Sequence, residues 1–596
     1  MTPDAPKFRR VLRVSVPLAL FALVFLGTLR LASTGPLTWD EGDAYNRAVR
    51  VEEWFRALVV GPDRTRCEDP REVDGERREL RLYFSTLPSR VALFSPETLE
   101  IGFQHLIYRE GHPSGASLAI AFGDFATRAL PWSISEKTRF RAGCVFLFSA
   151  ALTVAFWRVR RDYGTAVALA ATGCVLFSPR VLGHAIIAGG DSLLISSWLA
   201  SWALFDSARR DATRAFLWGA AVAVSFCAKS SGFLLVFPFA SVALAGLATR
   251  RFSACEVARL AFGLVVAAGL FLLANPPGWR DPLAAASTFW RLNTERAEFN
   301  IPIYFFGELY SPTRPLPFWN GFFWLVAATP ALLSFLATTA IFSRRGDAAP
   351  LTGTTTAFLL AITIPLARIF PGVPVHDGAR LLIASVALWS LLGGLGAGRV
   401  ARWTASCAAS RASTEKSRRR CRRVVAWTCL TLCVAPSVVD ALGSRPQFLS
   451  FYSAFVGGVE GATRMGLEPT YYWDGFDEQV ATRLRELSAE ARAHGRPDGI
   501  LFGSFSTQTL DYYARWGVFG PARVATVSNP EAGQNVDQYG FYALQRRPSG
   551  YVSFDLELLK EGKLLLRKNA RNPLPLPFAE GGKTPILDIY EFPRVP

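Results

Sequence analysis

Eleven apolar runs, each close to the length that crosses a lipid bilayer, constrain this chain more than anything else in it. They fall at roughly 11–33, 140–157, 163–180, 184–206, 214–229, 231–249, 257–275, 318–343, 351–370, 379–398 and 423–442. A helix of ~20 mostly apolar residues spans the hydrocarbon layer. Half of the 596 residues are hydrophobic and 19% are charged. That balance is too apolar for one soluble globule, and the chain is too long for one core. The sequence therefore predicts a mainly α, polytopic membrane protein. The start, Lys7 to Arg10 followed by an apolar stretch, reads as an uncleaved anchor rather than a removed signal.

Charge gives the orientation. The net charge is +17, from 65 basic and 48 acidic residues. Nucleic-acid binding would gather those charges with aromatics on one soluble face. Here many sit in short loops between apolar runs: Arg158/Arg160/Arg161, Arg209/Arg210, Arg250/Arg251, Arg344/Arg345 and the run from Arg418 to Arg423. Together with Lys7, Arg9 and Arg10, they mark every second loop as cytoplasmic. The amino terminus then lies inside, and an odd number of spans puts the carboxyl terminus outside. The expected place is the plasma (inner) membrane. The nine cysteines fall mostly in apolar runs or basic loops, so no disulfide framework is expected.

Two parts follow: a transmembrane part over 1–442, with outer loops 34–139 and 276–317, and an outer soluble part over 443–596. The apolar spacing of 43–58 predicts an amphipathic helix in the interface plane. The stretch 114–130 carries Asp124 and Arg128 and reads as a short interfacial or re-entrant helix. In the tail, 477–494 and 507–516 look helical. Ile500 to Gly503, Arg523 to Val527 and Ile586 to Phe592 look like strands. A small α/β domain is expected there. The Gly393-Gly-Leu-Gly-Ala-Gly398 segment lies inside a span and reads as close helix packing, not a dinucleotide fingerprint.

The candidate chemistry collects on the outer side. Asp40 and Glu41 follow the first span. Acids at a helix start are often caps, worth ~0.3–1 kcal/mol through the helix dipole. At the edge of lipid and water, a carboxylate also suits a general base acting on a lipid-linked substrate. His112, His184 and His376 fall on outer segments near the membrane and suggest a polar pocket. Asp191 lies seven residues after His184, on the same helix face. An intramembrane carboxylate is a functional candidate, with pairing to Arg180, His184 or Lys229 as the bland alternative. Lys229, Arg368, Asp377 and Arg380 sit on outer turns, where basic residues break the inside bias. A phosphate is one reason for them, since Arg offers bidentate bonds; lipid headgroup contact is the other.

Taken together these motifs resemble the GT-C membrane glycosyltransferases. The acidic pair Asp40-Glu41 with Tyr45 behind it is similar to the start of those enzymes. So is His112-Pro113, with Ser114 where a second proline usually stands. Gly183-His184 through Asp191, Lys229-Ser-Ser-Gly232, Asp377-Gly-Ala-Arg380, the stretch from Gln447 to Gly458, and Tyr471-Tyr-Trp-Asp474 extend the likeness across most of the chain. The family 39 protein O-mannosyltransferases and the lipid A aminoarabinose transferases are the groups it resembles. The resemblance implies an inverting transferase that takes a hexose or pentose from a polyprenyl-phosphate donor to a protein, lipid or glycan acceptor. Asp40 would be the base and Glu41 its neighbour or an acceptor contact. Lys229 and Arg380 would hold the donor phosphate with His112 and His376 nearby, and Tyr45, His184, Asp191 and Asp377 would complete the pocket. It implies no obligatory metal. Two other classes remain open at this point. A transporter or flippase would carry coupling charges near mid-membrane and symmetric helix breaks. A non-catalytic scaffold of envelope polysaccharide assembly would tolerate loss of Asp40.

Overall fold

The computed structural model describes residues 5–65, 75–103, 111–295, 301–311, 313–342, 351–370, 373, 377–528, 536–571 and 583–592. His376 lies outside them.

The amino-terminal half is helical throughout. It runs α1 (Ala5–Thr34), α2 (Glu41–Val60), α3 (Gly75–Ser85), α4 (Pro96–Gly102), α5 (Gly115–Arg128), α6 (Glu136–Tyr163), α7 (Thr165–Leu176), α8 (Pro179–Ala185), α9 (Gly190–Ala208), α10 (Ala212–Ala228), α11 (Val236–Ala248), α12 (Ala254–Ala274) and α13 (Pro282–Thr294). A small hairpin follows, β1 (Ile303–Phe305) with β2 (Glu308–Tyr310). Then come α14 (Asn320–Ala327), α15 (Ala331–Phe342), α16 (Leu351–Ala367), α17 (Ile383–Ser410) and α18 (Glu415–Gly443).

Among the described residues, six helices are long and apolar enough to cross a membrane: Ser15–Thr34, Glu136–Tyr163, Ser230–Ala248, Ala254–Ala274, Arg380–Ser410 and Glu415–Gly443. Two helix pairs are long and apolar enough only when taken together, α7 with α8, bent by 73°, and α14 with α15, bent by 115°. The shorter apolar helices are α10 and Gly353–Ala367 within α16. With α9, each of the eleven apolar runs falls on a helix or a bent pair. The centre is α17, buried without a break from Ile383 to Gly398. Its glycines let neighbours touch its backbone. A Cβ on Gly394 would stand 2.3 Å from Ala171 Cα, and one on Gly396 only 1.9 Å from the Leu336 carbonyl oxygen. The glycine cluster is thus a packing surface.

The tail holds α19 (Gly458–Arg464), α20 (Glu478–Ala493), β3 (Gly499–Phe502), α21 (Thr507–Arg515), β4 (Val524–Thr526), β5 (Tyr539–Gln545), α22 (Ser553–Glu561), β6 (Leu564–Arg571) and β7 (Lys583–Glu591). Its five-stranded sheet has the order β4-β3-β5-β7-β6. β3 pairs in parallel with β4 and β5, while β7 is antiparallel to β5 and β6. The expected α/β character is present, with β5, β6 and α22 in addition to the elements read from the sequence.

α2 is the hinge between these parts. Its apolar stripe, Ala44, Tyr45, Ala48, Val51 and Trp54, is buried against protein, while Phe55 stays 43% exposed. Gly42 meets α21 so closely that a Cβ would lie 2.2 Å from the Thr509 nitrogen. There Gly42 N donates to Thr509 Oγ1 at 3.0 Å, and that hydroxyl donates to Trp39 O at 2.8 Å. On its other flank a charged network ties α2 to α3, α5 and α6. Arg77 bonds Glu52 at 2.8 Å and Asp124 at 3.1 Å, Arg81 bonds Glu53 at 2.8 Å, and Arg139 bonds Asp124 at 2.8 Å. Asp124 thereby anchors the short α5 to α3 and α6.

Burial acts to raise the Asp124 carboxyl, but Arg128, Arg139 and Arg77 outweigh it and hold it below the usual aspartate range. A depressed carboxyl stabilises the fold above its unfolded pKa, and that contribution is lost as pH falls through the folded value. We expect the thermal midpoint in detergent to drop as pH falls below roughly 4. Asp124→Asn should lower the midpoint at neutral pH and flatten that acid limb.

Candidate functional site

The turn between α1 and α2 is fixed by one buried ion pair. Arg141, near the start of α6, places Nη2 2.6 Å from Glu41 Oε2 and Nε 2.7 Å from Oε1. Both side chains are almost wholly buried, at 1% and 0% exposure. The same guanidinium donates to three backbone carbonyls, Ala32 at 2.7 Å, Gly35 at 3.1 Å and Pro36 at 2.5 Å. Glu41 also accepts from Thr38 N at 2.8 Å, Tyr45 OH at 3.1 Å and Ala188 N at 3.0 Å. Every lone-pair direction of this carboxylate is therefore used, as a buried charge requires. Its neighbour is left to face outward.

Asp40 occupies the N-cap position of α2, yet its side chain makes no capping bond. Asp40 thus gives the helix no capping hydrogen bond, although its charge still stands at the positive end of the dipole. The carboxylate instead turns into a cavity of about 180 Å³. Asp40, Glu41, His112, Asp191, Lys229, Arg380 and Tyr472 are among the residues lining it. Asp40 Oδ2 accepts from Arg380 Nη2 and, at 2.5 Å, from Tyr472 OH. Arg380 Nε reaches Asp191 Oδ2 at 2.8 Å, and Nη1 reaches Asp377 Oδ2 at 2.7 Å. Lys229 Nζ bonds Asp191 Oδ1 at 2.6 Å. The Asp40 side chain is 48% exposed, against 10% for Asp191 and 7% for Asp377. The three aspartates are held by cations rather than by one another, and among the described residues no cluster of three or more His, Cys, Asp or Glu side chains is arranged for a metal.

Backbone contributes as well. Gly189 and Gly190 line the cavity at the amino end of α9, where no side chain caps the helix. Uncapped first-turn N–H groups and the helix dipole favour an anion there. A side chain on Gly190 is excluded, since its Cβ would fall 2.6 Å from the Ala228 carbonyl oxygen. His112 shares the wall, with Ser114 behind it anchored to α12 by a 3.0 Å bond from its nitrogen to Asn275 Oδ1.

Three residues expected in the pocket stand behind its wall instead. Tyr45 packs against Phe140 and Tyr512 at ring distances of 4.5 and 5.1 Å and supports Glu41. His184 is buried in α8 with Nδ1 3.9 Å from Asp191 Oδ2. Asp377 backs Arg380, and Arg547 from the tail bonds its second oxygen at 3.0 Å. Asp377 has φ 57°, a left-handed conformation that its two arginine partners maintain.

Two residues on the site come from the tail and carry no assigned role in the sequence reading. Arg547 is one. Tyr472 is the other, its ring 4.3 Å from the Arg380 guanidinium carbon. Trp473 beside it has φ 60°, rare for a bulky side chain, and its indole is pinned by a 2.7 Å bond to Ser504 O. This turn sends Trp473 into the tail and Tyr472 toward Asp40. Burial holds the Tyr472 phenol well above the usual tyrosine range, with Arg380 opposing and Asp40 adding to it. It is a hydrogen-bond donor at any ordinary pH.

No family model matches the chain, and no curated protein does. Solved structures similar to it include ArnT from Cupriavidus metallidurans in the apo state, at 12% identity and TM-score 0.47, covering 98% of each chain. ArnT from the same organism bound to undecaprenyl phosphate is 12% identical at TM-score 0.44, covering 97% of each. The Archaeoglobus fulgidus oligosaccharyltransferase tethered with an acceptor peptide is 10% identical at TM-score 0.40, covering 97% of this chain and 76% of that one. With every one of these TM-scores below 0.5, function is read from the chain's own residues.

Arg141→Ala would strand Glu41 as a buried, uncompensated charge and release three carbonyls. A loss of ~3–5 kcal/mol is expected for breaking such a pair. Thermal unfolding in detergent checks it; an unchanged midpoint would contradict the assignment.

Proposed function

We propose that the chain is an inverting glycosyltransferase of the GT-C type. It moves a sugar from a polyprenyl-phosphate donor to a hydroxyl of a protein, lipid or glycan on the outer face of the inner membrane. The observation that carries this reading is a half-exposed carboxylate, Asp40, on one cavity wall with Lys229, Arg380 and the amino end of α9. That combination supplies a proton acceptor and an anion seat at the mouth of a membrane-spanning bundle.

The chemistry follows from those positions. Asp40 takes the proton from the acceptor hydroxyl as its oxygen bonds to the anomeric carbon. The bond from that carbon to the phosphate oxygen breaks on the opposite face, and its electron pair leaves with the phosphate. Lys229, Arg380 and the α9 N–H groups stabilise that charge, so no general acid is needed. A positioned carboxylate base contributes ~10²–10⁴-fold. Preorganised cations aimed at the developing charge add electrostatic stabilisation without reorganising water. Glu41 acts through Asp40, by fixing the turn that aims it.

The test uses proteoliposomes, a radiolabelled polyprenyl-phosphate sugar and a cell-envelope extract as acceptor. Asp40→Asn should not weaken donor binding and should lose transfer by about two to four orders of magnitude. Lys229→Ala should weaken donor binding. Equal transfer by wild type and Asp40→Asn would refute the reading.

A further inference from the structure

Each of the three Arg380 nitrogens bonds a different aspartate. Nε serves Asp191, Nη1 serves Asp377 and Nη2 serves Asp40. Lys229 is bonded to Asp191, and Arg547 to Asp377. Three cations thus already face three aspartates. The remaining acid on Arg547, Glu468, is pushed upward by burial against the pull of that arginine. A phosphate entering this cluster meets charges that are already balanced, and a carboxylate that gives up its place on Arg380 returns a full positive charge to it. Asp191 and Asp377 are each buried between two cations. Asp40 is half-exposed, touches one cation and has a second partner, Tyr472 OH at 2.5 Å, that does not depend on Arg380.

Resting on the function proposed above, we propose that Asp40 is latched on Arg380 until the donor phosphate displaces it, and that Tyr472 is the positioning residue that keeps the released carboxylate aimed at the acceptor. The exchange conserves hydrogen bonds: Nη2 leaves Asp40 Oδ2 for a phosphate oxygen, while the phenol stays on Oδ2. Oδ1, which neither Arg380 nor Tyr472 holds in the latched state, receives the acceptor hydroxyl once the cation has left the carboxylate. Binding is ordered, donor before acceptor, and the base is unmasked only when a sugar is in place. An anion that binds without displacing Asp40 would leave Oδ2 bonded to both Arg380 and Tyr472.

The binding measurement needs no acceptor, and transfer is assayed in parallel as above. Affinity for a sugar-free polyprenyl phosphate is measured in nanodiscs for wild type, Asp40→Asn, Tyr472→Phe, the double variant and Asp43→Asn. Removing the competing carboxylate should tighten binding about fivefold or more, as expected for one charge-assisted bond returned to the ligand. Tyr472→Phe should weaken it about two- to fivefold, because displaced Asp40 then lacks its hydroxyl partner. The double variant should match Asp40→Asn, whereas a merely structural tyrosine would weaken both backgrounds alike. Asp43 lines the same cavity, and a gain in Asp43→Asn equal to that of Asp40→Asn would reduce the effect to general repulsion and overturn the latch. Normal transfer by wild type with no gain in Asp40→Asn rejects the latch and leaves the transferase standing. Absence of both carrier binding and transfer removes both.

Discussion

The three-way contact of Arg380 with Asp40, Asp191 and Asp377 is the interaction on which the site depends. It joins the start of α2, the start of α9 and the turn before α17, and through Asp377 it reaches Arg547 in the tail. Charges at such a depth are tolerable only when paired and hydrogen-bonded on all sides. The cluster meets that condition with one exception, since Asp40 keeps part of its surface in the cavity. The most exposed member of a balanced network is the one free to change partners. Its position follows from burial elsewhere: Glu41 and Arg141 take up the interior, and the chain turns so that the adjacent carboxylate cannot follow them inward.

The tail is part of the site rather than an appendage. Thr509 clamps the backbone around Trp39 and Gly42, the Tyr513 hydroxyl accepts from Leu37 N at 2.6 Å, and Tyr472 meets Asp40 itself. The first turn of α2 is held between the bundle on one side and α21 on the other. Small shifts of the tail would move Asp40 directly, and a positioned group loses effect rapidly with misplacement.

Much of this could be read in the sequence because lipid imposes a length and a polarity on each span. The eleven apolar runs lie on helices or bent pairs, and the residues that broke the charge bias, Lys229 and Arg380, sit on the cavity. Asp191 was legible because a carboxylate inside an apolar run demands a partner, although a break after α8 puts it at the start of α9 and not on one helix with His184. Tyr45, His184 and Asp377 were placed on the pocket because sequence gives proximity along a helix but not which side of a wall a ring occupies. Arg141 was hidden as one more basic residue ahead of an apolar run. Nothing local shows that its partner lies a hundred residues earlier. Tyr472 sat in a motif of aromatic residues where only the left-handed Trp473 decides which ring turns toward Asp40. β5 was missed for a related reason: it is buried nearly throughout and lacks the alternation that marks a one-sided strand. β6, at the sheet edge, mixes charged and apolar residues with no clear period.

The most direct test of the central claim is an electron cryomicroscopy structure in nanodiscs with a polyprenyl phosphate bound. The account predicts phosphate density between Lys229 and Arg380 at the amino end of α9, with Asp40 off Arg380 and still in contact with the Tyr472 hydroxyl. Phosphate held elsewhere, with Asp40 still paired to Arg380, would contradict it.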